Sequence, residues 1–181
     1  MKFHIFTIFP NMYSSIFEEG VISRGIKNGT LEIILHNIRD YTNDKHKRVD
    51  DYPFGGGPGM IMKPEPIFNA IEIVSNKYSI PKETPVILLS PQGKRFNHNM
   101  AQELSSLNEI IMICGRYEGF DERIRQTLAT QEISVGDYVL SGGEIASMVI
   151  MDAIGRLIPG VLGSGQSPLN DSFYDGLLQF P

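Results

Sequence analysis

Short apolar runs alternate with segments of helical periodicity along this chain of 181 residues. Five apolar runs have the length of a strand, and we predict β-strands at Lys2–Phe9, Leu31–Asn37, Pro85–Leu89, Glu109–Cys114 and Glu132–Val135. Five further segments space their apolar residues as one helix face does: Met12–Phe17, Val21–Lys27, Glu65–Lys77, Asn99–Leu107 and Glu144–Ile154. This alternation predicts an α/β fold with a mostly parallel sheet flanked by helices.

Three glycine-containing loops follow predicted strands, opening at Ser90, Gly115 and Gly136. Ligands of parallel sheets bind outside the carboxyl ends of the strands, so we expect chemistry in these loops. The first contains a Ser-Pro step, which should stop strand pairing. The second places a cation, an aromatic ring and a carboxylate between Gly115 and Gly119. A plain strand-to-helix turn remains the alternative interpretation of that second loop.

A long segment, Arg39–Lys63, separates the second predicted strand from the next helix, and it exceeds the usual length of a structureless loop. Its first part, Lys45–Arg48, carries four potential cations in four positions, and Asp50 and Asp51 follow closely. Its second part, Gly55–Gly59, contains four glycines that can adopt left-handed backbone angles. Anion or RNA binding is one interpretation of the segment, and a solvated, flexible loop is the other.

The composition is that of one globular domain, with 41% hydrophobic and 20% charged residues. A formal net charge of -5 means that any polyanion must bind a local basic patch. The single cysteine, Cys114, excludes an internal disulfide and a multi-cysteine metal site, and we interpret it as a buried strand residue. No secretory signal and no apolar run of membrane-spanning length are visible, which favours a cytoplasmic protein with no membrane partner.

Several catalytic motifs are missing from the sequence. No phosphate-binding P-loop, no dinucleotide-binding Gly-x-Gly-x-x-Gly after a strand and no Gly-x-Ser-x-Gly elbow occurs. The histidines do not follow metal-ligand spacing, and we interpret them as structural or solvated: His4, His36, His46 and His98. These absences weigh against a kinase, a dehydrogenase, a serine hydrolase and a transition-metal enzyme.

Near the end of the chain, the polar stretch Gly163–Ser167 leads to Asp171 and Phe173. A polar segment that delivers a carboxylate and an aromatic ring is typical of a lid over a flat ligand. The alternative is that Asp171 is only a helix N-cap.

Taken in order, these motifs resemble the TrmD family of bacterial tRNA (guanine-N1)-methyltransferases, which are SPOUT methyltransferases. The resemblance covers nearly the whole chain and rests on the joint set: Pro10–Gly20, Arg39-Asp40, Val49–Asp51, Gly55–Met60, Leu89–Gly93, Cys114–Arg123, Gly136–Glu144, Ile158–Gly163 and Asp171–Phe173.

The resemblance implies a SPOUT fold with a C-terminal deep trefoil knot, an exception to the usual absence of knots. It also implies a homodimer whose subunits share the active site. Residues 1–163 are expected to be the cofactor-binding catalytic domain, and residues 164–181 a flexible interdomain segment that carries the catalytic base. The family's helical tRNA-binding domain lies beyond Pro181, so we expect this chain alone to bind cofactor and dimerise but to methylate tRNA poorly.

The implied activity is transfer of a methyl group from S-adenosylmethionine to N1 of guanosine 37 in tRNA, when another guanosine precedes it. The residues that match the family's cofactor site are Leu88, Leu89, Ser90, Pro91, Gly115, Tyr117, Glu118, Gly119, Ser134, Val135, Gly136, Asp137, Tyr138, Val139, Leu140, Gly142 and Gly143. Glu118 is also the candidate carboxylate for a Mg²⁺ ion, although no closed metal site is visible.

The remaining roles implied by the resemblance concern the base and the RNA. Asp171 matches the family's general base, and Arg156 matches the cation that stabilises negative charge on O6 of guanine. Phosphates near the target are assigned to Lys45, His46 and Arg48, and a neighbouring base to Asp50. Two alternatives stay open: another SPOUT RNA methyltransferase, and a non-catalytic RNA-binding module.

Overall fold

The structure, a computed structural model, describes residues 1–163, 171–174 and 176–178. Its strands are β1 (Lys2–Thr7), β2 (Glu32–Asn37), β3 (Asp50–Asp51), β4 (Ile61–Met62), β5 (Val86–Arg95), β6 (Glu109–Cys114) and β7 (Gln131–Ser134). Its α-helices are α1 (Ser14–Glu18), α2 (Gly20–Lys27), α3 (Pro64–Tyr78), α4 (His98–Ser105), α5 (Glu122–Thr127) and α6 (Gly143–Gly155). Two 3₁₀ turns, Pro10–Tyr13 and Ile38–Tyr41, complete the described elements.

The central sheet has the strand order β2-β1-β6-β5-β7, and its strand pairs are all parallel. Parallel strands need crossover connections, and helices supply them on both faces of the sheet. This confirms the α/β class and the mostly parallel sheet. The trefoil knot stays a prediction.

Each face of the sheet buries its own apolar cluster, because successive strand residues point to opposite faces. In β1, Phe3 and Ile5 belong to the cluster covered by α2, α4 and α6. Phe6 belongs to the cluster on the other face, which includes Ile67 of α3 and Ile124 of α5. The strands are therefore apolar on both faces, which explains their nearly continuous apolar runs in the sequence.

Strand β5 runs further than predicted. The Ser-Pro step does interrupt pairing with β7 after Leu89, but pairing resumes at Lys94 and Arg95. The residues between them bulge out of the ladder, and Gly93 makes this possible because a Cβ there would overlap the backbone of Ile133 and Glu132. The bulge therefore interrupts the ladder within β5 without ending the strand.

Three short elements, α5, β3 and β4, were absent from the sequence prediction. Helix α5 is six residues long and buries only Ile124, so it carries no apolar periodicity to detect. Strands β3 and β4 pair antiparallel over two residues each, inside the segment expected to be loop. Such short strands show no alternation, and hydrogen bonds to the rest of the fold hold them.

Two predicted histidine roles can be compared with the structure. His4 and His36 are both buried, with ring centroids 5.3 Å apart and 3.0 Å between His4 Nδ1 and His36 Nε2. Glu109 Oε2 lies 3.4 Å from His4 Nε2. Burial lowers the pKa of both imidazoles, to about 4 for His36. The pair is structural, and His46 is exposed on the basic loop.

In the described ranges, none of the helices combines the length and apolar character that crossing a membrane requires. The predicted segment 164–181 lies outside the described residues, except for 171–174 and 176–178.

Candidate functional site

A cleft of about 410 Å³ opens at the carboxyl ends of β5, β6 and β7. This is the position at which parallel sheets bind ligands. Its walls are residues 88–92, 115–120, 132–135 and 138–143, together with Glu122, Arg125 and Ala146. The three loops predicted from the sequence to carry chemistry therefore meet around one cavity.

The predicted cofactor residues line this cleft, with two exceptions, Gly136 and Asp137. Asp137 is exposed and forms an ion pair with Arg95 at the end of β5. Gly136 does not line the cleft, and the loop needs glycine there because a Cβ would overlap the ring of Tyr138. Sequence position alone does not tell a residue that faces the cavity from one that supports the loop.

A buried ion pair joins the walls of the cleft. Glu144, fully buried at the start of α6, accepts a hydrogen bond from Arg116 Nε (2.8 Å) and another from Thr7 Oγ1 (2.7 Å). Arg116 also donates to the carbonyl oxygen of Ser141 (2.9 Å), and its guanidinium lies 4.6 Å from the ring centroid of Phe9. The second loop, the third loop and the end of β1 are thus held together by one carboxylate and one guanidinium.

Glycines allow the third loop to approach the second. The amide of Gly143 donates to the carbonyl of Gly115 (2.8 Å). A Cβ on Gly143 would lie 2.7 Å from Cα of Cys114, and one on Gly142 would overlap Arg116. Only residues without a side chain fit at these two positions.

Cys114 lies behind this contact and is fully buried. Burial raises the pKa of its thiol to about 12, and the nearby carboxylate of Glu144 acts in the same direction. The Tyr13 hydroxyl lies 3.4 Å from its sulfur. The cysteine is therefore an unreactive, buried strand residue, as the sequence indicated.

Charged side chains from outside the three loops also line the cleft. Helix α5 contributes Arg125, which donates to Glu132 Oε1 of β7 (3.1 Å) and to Gln92 of the first loop. Glu122 lies 3.7 Å from the same guanidinium. Arg125 and Glu122 come from α5, which the sequence analysis missed, and Arg125 pairs with carboxylates on both sides.

The hairpin of β3 and β4 is attached to the second loop. The amide of Glu118 donates to the carbonyl of Met60 (2.9 Å), and the amide of Met62 donates to the carbonyl of Gly119 (2.9 Å). The Glu118 side chain packs against Gly59, where a Cβ would lie 2.5 Å from its Cγ. The described residues bring no three His, Cys, Asp or Glu side chains together as a metal site. Glu118 therefore belongs to no set of three such side chains in the described ranges.

The two predicted catalytic side chains are in direct contact. Arg156, which caps the C-terminus of α6, donates from Nη2 to Oδ2 of Asp171 (2.6 Å). Both side chains are partly exposed, and neither lies among the described residues that line the cleft. The described residues from Asp171 onward form turns, so the helix N-cap interpretation of Asp171 has no support.

The basic loop is exposed and folded on its own acidic residues. Lys47 Nζ lies 2.8 Å from Asp40 Oδ1, and Arg48 Nη2 lies 2.8 Å from Asp44 Oδ2. The hydrogen bond from Arg48 lowers the pKa of Asp44 to about 2. The predicted RNA contacts Lys45, His46 and Arg48 are all exposed, whereas Asp50 is half-buried in β3.

Comparison with known proteins agrees with this architecture. The family model described as tRNA (Guanine-1)-methyltransferase TrmD matches residues 1–181. A tRNA (guanine-N(1)-)-methyltransferase of Dehalococcoides mccartyi is 54% identical over the whole chain, which covers 72% of that protein. One from Staphylococcus aureus is 52% identical, also with 72% covered. The crystal structure of tRNA (m1G37) methyltransferase from Aquifex aeolicus matches with a TM-score of 0.82 and 40% identity, over 91% of this chain and 72% of that one. The chain belongs to the TrmD family of tRNA (guanine-1)-methyltransferases.

Proposed function

We propose that this chain carries the catalytic site that methylates N1 of guanosine 37 in tRNA, next to the anticodon, with S-adenosylmethionine as the methyl donor. The observation that carries the proposal is the contact between Arg156 and Asp171 in a chain of this family. On the Watson–Crick edge of guanine, the N1–H donor lies next to the O6 acceptor. A carboxylate beside a guanidinium offers the matching acceptor and donor.

The chemistry assigns one task to each of these two side chains. N1 of guanine carries a proton, so Asp171 accepts that proton as N1 forms its bond to the methyl carbon. Negative charge that develops on O6 is stabilised by the guanidinium of Arg156. When bound, S-adenosylmethionine supplies an electrophilic methyl carbon, and its sulfur keeps the electron pair of the broken C–S bond.

The residues of the cleft suit this donor. Its volume of about 410 Å³ lies in the range of small-molecule sites. Leu88, Ile133 and Leu140 supply apolar wall, and the glycines of the second and third loops expose backbone donors and acceptors. An adenine ring needs apolar surface and a few polar backbone groups in this arrangement.

The homodimer is part of the proposal. Arg156 and Asp171 lie apart from the residues that line the cleft of their own chain, so a second copy would have to bring such a pair to the methyl donor. Helix α6 leaves Ile145 and Val149 exposed, and Phe9 is exposed at the end of β1. These apolar side chains offer surface for the second copy.

The RNA is assigned to the exposed basic loop and to the start of β3. Exposed Lys45, His46 and Arg48 supply cations for phosphates, and Asp50 supplies an acceptor for a base.

We infer from a tRNA substrate that the protein acts in the cytoplasm. The described residues gather no three His, Cys, Asp or Glu side chains that could hold a Mg²⁺ ion at Glu118, so no step is assigned to the ion.

The proposal divides the chain into a catalytic domain and a C-terminal segment. Residues 1–163 form the catalytic domain. The inferred trefoil knot is assigned to the place where the chain at the start of α6 crosses the second loop. Asp171, the proposed base, lies in the segment 164–181. The tight packing of Gly143 on Cys114 is the crowding that such a crossing requires.

The proposal is tested by mapping the methyl group after reaction with an unmodified tRNA transcript that carries guanosine at positions 36 and 37. The assay compares the 181-residue chain with the same chain extended by the C-terminal part of a longer relative. We expect N1-methylguanosine at position 37 from the extended chain and little from the shorter one. Replacing guanosine 37 by adenosine should abolish the product.

Asp171→Asn supplies the second test. We expect it to abolish transfer because the proton acceptor is lost, while calorimetry shows an unchanged affinity for S-adenosylmethionine. Asp152→Asn, an exposed acidic residue on α6, is the matched control and should remain active. Methyl transfer to a ribose hydroxyl would instead indicate a different SPOUT reaction, and RNA binding without cofactor affinity would indicate a non-catalytic RNA-binding module.

A further inference from the structure

Two aromatic rings stand in solvent at the hairpin between β3 and β4. Tyr52 is 76% exposed and Phe54 is 85% exposed. A single exposed apolar side chain is common on protein surfaces and needs no explanation. Two nearly bare rings within three residues, beside a binding cleft, are a feature that a ligand would use.

The rings project from an anchored base. Strand β3 pairs with β4 through Asp50–Met62 and Asp51–Ile61. Met62 and Val49 are fully buried, and the amide of Lys63 donates to the carbonyl of Val49 (2.8 Å). Rings on a fixed base lose little conformational freedom when a partner binds them.

The tip beyond the rings is open. Gly55, Gly56 and Gly57 all have φ between 80° and 121°, and a Cβ on any of them would meet nothing within 4 Å. Packing therefore does not require glycine here, in contrast to Gly143. A tip without side chains leaves room for a bulky planar group to approach the rings and the backbone amides.

The hairpin is continuous with the proposed cofactor cleft. Two backbone hydrogen bonds of 2.9 Å join it to the second loop, from Glu118 to Met60 and from Met62 to Gly119. Met62 also forms a parallel bridge with Phe120. A molecule that lies on Tyr52 and Phe54 is thus bound next to the loop that forms one wall of the cleft.

One cation lies over the Phe54 ring, and others are close to the hairpin along the chain. The guanidinium of Arg123 lies 6.0 Å from the ring centroid of Phe54. Lys63 lies 3.6 Å from Asp51, and the exposed basic loop Lys45–Arg48 comes directly before β3 in the chain. Aromatic rings flanked by cations match a single-stranded nucleic acid, in which bases stack on rings and phosphates pair with cations.

We propose that Tyr52 and Phe54 form a stacking platform for an unpaired base of the RNA substrate, next to the target guanosine. The proposal rests on the proposed function, because it takes the anticodon loop as the RNA. Every base offers a π-face, so the platform adds affinity without reading base identity. In the proposed function, Arg156 and Asp171 select the base that reacts.

The test is fluorescence anisotropy with a labelled anticodon stem-loop RNA. We expect Tyr52→Ala and Phe54→Ala each to weaken RNA binding about tenfold, since one stacked base is lost. Tyr52→Phe and Phe54→Tyr keep a ring and should bind RNA as the unchanged chain does. Ile73→Ala, which removes an exposed apolar side chain from α3, is the control and should have no effect.

A second readout separates stacking from a structural role. The affinity for S-adenosylmethionine, measured by calorimetry, should be the same in all these variants. A parallel loss of cofactor affinity would mean that the rings only support the second loop, and it would overturn the proposal. Unchanged RNA binding in Tyr52→Ala/Phe54→Ala, or no RNA binding by the unchanged chain, would overturn it as well.

The outcome also distinguishes this proposal from the proposed function. If the unchanged chain binds the stem-loop more tightly than the double alanine variant but no extended chain methylates tRNA, the platform stands and the methyl transfer fails. If methylation occurs at position 37 and the double alanine variant has the same KM for tRNA, the platform fails alone.

Discussion

The cleft wall and the segment Arg39–Lys63 use the same residue types under opposite conditions. In the wall, Arg116 pairs with a fully buried Glu144. In the segment, Arg48 pairs with Asp44 in contact with solvent. A buried carboxylate has no water to replace a lost partner, whereas an exposed guanidinium can exchange its partner for water or phosphate at little cost.

The glycines of the two regions differ in the same way. Gly142 and Gly143 are required because a neighbouring side chain or backbone occupies the space of a Cβ. Gly55 and Gly56 are surrounded by open space and are required by a left-handed backbone. This difference indicates that the cofactor cleft is preformed for a small ligand. The neighbouring segment Arg39–Lys63 can instead change its conformation to bind a large one.

The largest effect is expected from Arg116→Ala, which leaves the buried Glu144 without its cation. Breaking one partner of a buried pair costs about 3 to 5 kcal/mol, so the free energy of unfolding in urea should fall by about that amount. Arg48→Ala is the matched change in the exposed pair and should leave the urea midpoint unaltered. Equal midpoints for the two variants would show that Glu144 finds another partner, and the comparison would fail.

Gly143→Ala should have the next largest effect. Its Cβ would press on the backbone of Cys114 and Gly115, which rotation of a side chain cannot relieve. We expect about 1 to 3 kcal/mol of destabilisation and a clear loss of affinity for S-adenosylmethionine in calorimetry. Gly56→Ala carries only backbone strain and should keep the cofactor affinity of the unchanged chain. Retained affinity in Gly143→Ala would contradict a preformed cleft.

The buried His36 and the exposed His46 should affect the pH dependence of stability differently, and this effect should be smaller than those of the two variants above. His36 has a folded-state pKa of about 4, below the ordinary value of 6.5, so protonation favours the unfolded chain. The buried pair therefore stabilises the fold above pH 6.5, and this contribution is lost as the pH falls toward 4. His36→Gln should flatten the pH dependence of thermal unfolding in this window, whereas His46→Gln on the exposed loop should not. A pH profile that is unchanged by His36→Gln would place the titration on other groups and contradict this assignment.

The smallest effect is expected from Asp44→Asn. It removes the acidic partner of Arg48, so RNA should bind somewhat more tightly at low salt. The gain should disappear at high salt, since exposed charges are screened. Thermal stability should not change. Weaker RNA binding in anisotropy would mean that Asp44 positions Arg48 for the RNA instead of competing with it.

The sequence predicted most of the fold and the location of the site, but it missed the contacts that hold the site. Periodicity located the strands of the central sheet, and the rule for parallel sheets pointed to the loops after Ser90, Gly115 and Gly136. Glu144 escaped notice because an acidic residue at the start of a helix is ordinary in a sequence. Its partner Thr7 lies 137 positions away, and only folding brings the two together.

The sequence by itself determined the α/β class, the order of its elements and, through the joint set of motifs, the family. Those features depend on local spacing and on residue identity, which a chain carries before it folds. The tertiary structure alone decided that Glu144 is buried against Arg116, that α5 brings charge to the cleft, and that Tyr52 and Phe54 remain in solvent. The physical reason is that burial and pairing are properties of distant segments in contact, which no local pattern contains.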